Sequence, residues 1–167
     1  MNMLPDDTGH ADRSDDADPS PDRDVPDRIP FTPLISSQAD LEEAWRRLMR
    51  PLGWSRRALW FLCLGDDDRP LPVIHEVSDL PEPFEPDDAA KAAELWRVML
   101  DEFAPDGSLA VLLVRPGTGS PDPLDARIAA ALYAACRRAR VPTQVIHLAH
   151  DHAILPIPYD VVGQVSA

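Results

Sequence analysis

The run Leu109 to Val114, LAVLLV, constrains the fold more than any other stretch of this chain. Six consecutive apolar residues without alternation cannot make a strand with one wet face, and the run is too short for a buried helix. It calls for a central strand covered on both sides, as in sheets that carry helices on both faces. A second run, Ala58 to Leu64 (ALWFLCL), repeats the demand. The 167 residues are 44% hydrophobic and include four Trp and four Phe, enough apolar material for one such core.

The remaining elements follow from periodicity and punctuation. Ser37 is placed to cap a helix with Asp40 at N3, and Leu41, Trp45, Leu48, Met49 and Leu52 then recur at helical spacing until Pro51 and Gly53 end it. After Ala58 to Leu64, the polar turn Gly65 to Asp68 leads to a second strand of a hairpin around Val73 to Val77. A proline-rich link, Leu80 to Pro86, opens a helix with Asp87 and Asp88 in its first turn; Ala89, Ala93, Trp96, Leu100 and Phe103 form its inward stripe. After the central strand, the loop Arg115 to Asp122 (RPGTGSPD) meets a strong helix start: Asp122 as N-cap, Pro123 at N1 and Asp125 at N3. Leu124, Ile128, Leu132, Ala135 and Ala139 share one face of that helix. Val141 to Leu148 and Ala153 to Ile157 read as the last two strands. The order α, β, β, α, β, α, β, β implies an α/β sandwich around a mixed sheet.

Residues 1–30 hold nine aspartates against three arginines, a balance of −6 within a total of −13. Almost no large apolar residues accompany them, so an acidic, disordered N-terminal tail is expected, followed by one domain over 31–158 and a short tail over 159–167. The acidity argues against a nucleic-acid partner, because phosphate binding relies on clustered Lys and Arg. No apolar run approaches the length of a membrane span and no secretory leader pattern opens the chain, so a cytoplasmic protein with no membrane contact is expected. Cys63 and Cys136 lie far apart in apolar stretches and read as buried, reduced thiols.

Three segments, PLISSQADLEEAWRRL, SRRALWFLCLG and LAVLLVRPGTGSPDPLDARIAAALYAACRRARVPTQVIHL, resemble the RadC-type branch of the JAB/MPN family in element order, spacing and loop composition. The resemblance spans about Pro33 to Ile157 and implies a three-layer α/β/α sandwich of cytidine-deaminase-like type. Active members of that family hold zinc with an H-x-H-P segment after the central strand and an Asp in the following helix, while an upstream Glu acts as general base. Three ligands leave a fourth zinc position open for water, whose proton the carboxylate moves. Here the two His positions fall on Val114 and Pro116, the helix Asp on Arg127, the usual Ser on Leu124, and the S-R-E segment on Ser55, Arg56 and Arg57. No His lies between His75 and His147, so no shift of the loop restores the ligands. The resemblance therefore implies the fold without the chemistry: no catalytic residue, no bound metal and no cofactor.

Two alternative sites are left. His147, His150 and His152, beside Asp151, form the densest set of metal ligands, and a turn would bring the three imidazoles together. The loop Arg115 to Asp122 precedes a helix N-terminus, so an anion could bind there with Arg115, Thr118 and Ser120 as donors, although the G-K-[S/T] ending of a phosphate loop is missing. The four tryptophans read as core, with Trp54 the one expected at a partner surface. Glu82, Glu85, Asp87 and Asp88 are explained by helix capping and solvation. The leading expectation is a non-catalytic domain that binds a partner protein or regulates one, possible homodimers included; a metal-binding protein or hydrolase at the histidines and a small-anion binder at the loop are the alternatives.

Overall fold

A computed structural model describes residues 31–160. The disordered tail expected over 1–30, and 161–167 of the expected C-terminal tail, lie outside the described residues. Among the described residues the chain is α/β, with three helices and an open five-stranded mixed sheet: α1 (Gln38–Leu48), β1 (Ala58–Leu64), β2 (Pro70–Val77), α2 (Pro86–Phe103), β3 (Ser108–Val114), α3 (Pro123–Arg138), β4 (Ile146–Ala149) and β5 (Ile154–Ile157). Among the described residues, no helix is long and apolar enough to cross a membrane.

The two continuous apolar runs become neighbouring strands. In the sheet order β2-β1-β3-β4-β5, β1 and β3 pair antiparallel along their whole length, from Ala58 opposite Val114 to Leu64 opposite Ser108. Alternate residues of both strands then point to opposite faces. Leu59, Phe61, Leu109, Val111 and Leu113 meet the inward stripe of α2, Ala89, Ala93, Trp96 and Leu100, together with Ile128 and Leu132 of α3. Leu62, Leu64, Ala110, Leu112 and Val114 meet Leu41, Ala44 and Trp45 of α1. This double coverage is why the buried runs Ala58–Leu64 and Leu109–Val114 are apolar throughout.

Local signals set the boundaries. Ser37 Oγ accepts from the Asp40 amide at 3.2 Å, and Asp122 Oδ1 accepts from the Asp125 amide at 2.7 Å, so both expected caps form. Gly107 lets the turn after α2 press against β1: a Cβ there would stand 2.0 Å from the Leu64 carbonyl oxygen. The strand expected over Val141 to Leu148 shrinks to Ile146–Ala149. Upstream of it only a single bridge, Leu109 to Thr143, joins β3, because Pro142 has no amide to continue a ladder. Phe103, expected on the inward stripe of α2, is 59% exposed; at the last residue of the helix its ring reaches the flank over β2, which no other element covers among the described residues. Cys63 and Cys136 are free and buried, and burial raises the pKa of both thiols.

Candidate functional site

β3 and β4 are the one parallel pair of the sheet, joined through α3. In open α/β sheets ligands sit beyond the carboxyl ends of such strands, so that end of the molecule is where a site belongs. It is built by the first residue past β3, the loop to α3, the residue preceding β1, and the four-residue turn between β4 and β5.

Because Ala58 and Val114 are paired, the residues next to them, Arg57 and Arg115, emerge together at the same end of the sheet. Two guanidinium groups at the rim of an apolar core require carboxylates. Asp125, in the first turn of α3, is fully buried and serves both: one oxygen bonds Arg57 Nη1, and the other accepts from Arg115 Nε at 2.8 Å and from the Asp122 amide at 2.9 Å. Asp122 Oδ2 lies 3.5 Å from Arg57 Nη2, closing a cluster of two cations and two anions. Burial pushes the Asp122 carboxyl upward, but backbone hydrogen bonds from Asp125 and Leu124 and the nearby Arg57 and Arg115 charges outweigh it, leaving the group below its ordinary value.

Arg115 is only 8% exposed. Its remaining donors turn back onto its own loop, Nη1 to the carbonyls of Pro116 (3.2 Å) and Thr118 (3.5 Å) and Nη2 to that of Ser120 (3.1 Å). Asp151, in the β4–β5 turn, holds the loop from the other side. Its Oδ2 accepts from the Gly117 amide at 2.9 Å, its amide donates to the Gly117 carbonyl at 3.1 Å, and its Oδ1 accepts from the Trp54 amide at 3.4 Å. Gly117 and Gly119 take positive φ of 92° and 95°, the left-handed backbone the tight loop requires. Residues 116–120 are exposed, yet the loop is tied at both ends.

The expected anion donors are therefore arranged differently from the sequence reading. Arg115 points inward and is committed to Asp125 and three carbonyls, while Thr118 and Ser120 offer it their carbonyl oxygens. The N-terminus of α3 already receives the carboxylates of Asp122 and Asp125.

The three histidines of the alternative metal site are placed apart from one another. His147 is a β4 residue between Ile146 and Leu148, whose side chains face α2 and α3, so its own ring points to the α1 side. It is fully buried, with Nδ1 2.9 Å from the Val145 carbonyl and Nε2 without a partner. His150 sits in the turn, where Nδ1 accepts from the His152 amide at 3.2 Å, and His152 is exposed. Among the described residues, no group of three or more His, Cys, Asp or Glu is placed to hold a metal ion. Burial lowers the pKa of His147; that of His150 is lowered by burial first and then by the charge of Arg115.

Of the residues that the expected JAB/MPN resemblance would match to zinc ligands and base, Val114 is packed in the α1-side core, Pro116 and Arg127 are exposed, and Arg57 is a cation paired with Asp125. Trp54, expected at a partner surface, is half-buried against the α1-side cluster. The sequence presents Asp125 only as a helix cap and Asp151 only as a neighbour of the histidines, not as a brace for the loop. The available signal was Arg115 itself: a cation directly after a fully apolar strand needs a buried counter-ion. No protein-family model, no curated protein and no solved structure matches the chain.

Proposed function

We propose that this chain is a non-catalytic, three-layer α/β/α domain of JAB/RadC-like type that acts by protein contact, presenting the loop 116–121 at the end where its catalytic relatives bind zinc. The observation that carries the reading is the commitment of Arg115. With Asp125 and three loop carbonyls as its partners, this side chain is committed within the protein and holds the loop in one shape. The residues present do not fit zinc: two guanidinium groups repel a cation, and both nearby carboxylates are engaged by them. A pre-formed exposed loop loses little entropy on binding, which favours recognition over chemistry.

Metal content tests the first half. Untagged protein purified without chelator is expected to carry no stoichiometric metal, and neither is a His150→Ala, His152→Ala variant; zinc at one equivalent in the parent and lost in the variant would overturn the reading. The second half predicts a protein that co-purifies in fixed ratio with the parent and is lost from a Thr118→Arg, Ser120→Arg variant of unchanged circular dichroism. Retention of that protein by the variant would move the contact elsewhere.

A further inference from the structure

The outer edge of the sheet is unlike its carboxyl end. Among the described residues, eight large apolar side chains are exposed, and six of them belong to two adjacent elements: Val73, Ile74 and Val77 of β2, and Leu95, Val98 and Phe103 of α2. β2 is the eight-residue edge strand, paired with β1 on one side only. Phe61 lies opposite His75 and stacks on it at 4.9 Å, so His75, and with it Val73 and Val77, faces the α2 side of the sheet. α2 leans toward α3, where Arg97 donates to the Arg140 carbonyl, and leaves β2 uncovered. The result is a groove of about 470 Å³ with Leu71, Val73 and His75 on one wall, Met99 and Phe103 on the other, and Cys63 lining it as well. Leu95, one turn before Met99, extends the helical wall.

We propose that this groove and edge receive a second copy of the chain, with β2 pairing antiparallel to its mate across a two-fold axis perpendicular to the sheet. One symmetry operation satisfies every open feature at once. It supplies the unpaired strand edge with a partner, keeps both α2 helices on the same face, and turns their Leu95, Met99 and Phe103 flanks toward each other over the seam. Register follows from the prolines. Pro70 and Pro72 cannot donate to a ladder, and the register of β2 against β1 is irregular between Leu62 and Leu64, which bends that half of the edge away. Pairing is left to Val73–Val77, centred on His75, which sets Val73 against Val77 and Ile74 against Glu76. No two carboxylates then oppose each other.

The chain carries −13, and two copies repel over most of their surface; β2 contains a single acidic residue, Glu76, which faces the α1 side beside Trp60, while α2 carries Glu94, Asp101 and Glu102 beside its apolar flank, so the apolar contact works against charge. Of the six exposed apolar residues, the five on the α2 side, Ile74 facing the other, leave roughly 450 Å² per copy, so a pair covers at most about 900 Å² before the backbone of the seam is added, against the ~1,200 Å² at which specific interfaces begin. That area suits a dimer that dissociates on dilution. The surface is separate from the loop 116–121, so the two proposals stand or fall independently.

Sedimentation velocity on the full chain, from low to high micromolar concentration, tests the proposal. The expected result is a concentration-dependent dimer. Val73→Lys, which places a charge on the seam, and Leu95→Glu, at an exposed helical position that tolerates Glu, should each leave a monomer at the highest concentration with the far-ultraviolet circular dichroism of the parent. A chain that is monomeric throughout overturns the proposal and leaves the groove to a foreign apolar segment. A dimer that persists in both variants overturns it as well, by locating self-association on another face. Neither outcome bears on the metal content that tests the non-catalytic reading.

Discussion

The two ends of interest in this molecule solve opposite problems. At the carboxyl end of β3, two arginines, two aspartates and the carbonyls of one loop meet one another's hydrogen-bonding needs, and the exposed residues there are small and polar. At the outer edge, the backbone of β2 lacks a second partner and the side chains around it are large and apolar. A polar end that is closed on itself contributes a shape; an apolar edge that is open contributes free energy to association. The carboxyl end of β3 is thus the self-contained region, and the region that is energetically unfinished lies elsewhere.

The largest effect should come from opening the closed end. Asp125→Ala removes the fully buried carboxylate shared by Arg57 and Arg115, leaving them only the more distant Asp122 at 3.5 and 3.9 Å, and Arg115 is 8% exposed, so urea unfolding should show a loss of about 3–5 kcal/mol. Replacing the pair, Arg115→Met with Asp125→Leu, removes the need along with its answer, and the double variant should be clearly more stable than Asp125→Ala alone. If the single variant loses under about 1 kcal/mol, the cluster behaves as a surface salt bridge and the contrast between the two regions disappears.

A smaller effect distinguishes paired from unpaired polar groups within the core. His147 is buried and its Nε2 has no partner, unlike the donors of Arg115. Burial holds its pKa below the ordinary 6.5, outweighing the hydrogen bond to Val145, so the unfolded chain binds a proton that the folded chain resists. Stability is full above that ordinary value and falls as pH drops below it toward the folded pKa, with a slope of at most about 1.4 kcal/mol per pH unit for one proton. His150, shifted downward as well, adds in the same direction. Urea titrations between pH 7 and 5 should show the slope and its reduction in His147→Leu; an unchanged slope would assign the acid sensitivity to other groups.

Much of the architecture is legible in the sequence because it rests on local demands. β1 and β3 are unbroken apolar runs that need cover on both faces, and α3 begins where Asp122, Pro123 and Asp125 spell a capped start. The site is less legible because it depends on register. Nothing local to Arg57 or Arg115 says that they emerge side by side; that follows from Ala58 facing Val114 across the sheet. Asp125 was accounted for by its cap, which hid its second role as counter-ion. Trp54, flanked by Gly53 and Ser55, resembles an exposed connector residue until Asp151, far along the chain, fixes its amide. The histidines illustrate the converse: close in sequence, they are separated by strand alternation, which turns His147 to the α1 side while His150 and His152 belong to a turn.

The smallest effect on folding is expected at the open edge, and there the absence of an effect is informative. The helical stripe of α2 ends at Leu100 for the core, and Phe103 continues it in sequence but not in burial, since nothing among the described residues lies over that flank. Phe103→Ser exchanges an exposed ring for a hydroxyl, so the urea midpoint should shift by no more than about 0.5 kcal/mol, as for surface substitutions in general. The same change should raise the dimer dissociation constant severalfold, because the ring forms a wall of the groove. A loss of folding stability above about 2 kcal/mol would mean that the ring is packed within a single copy. The groove would then be part of the core, and the outer edge would be as self-contained as the carboxyl end of β3.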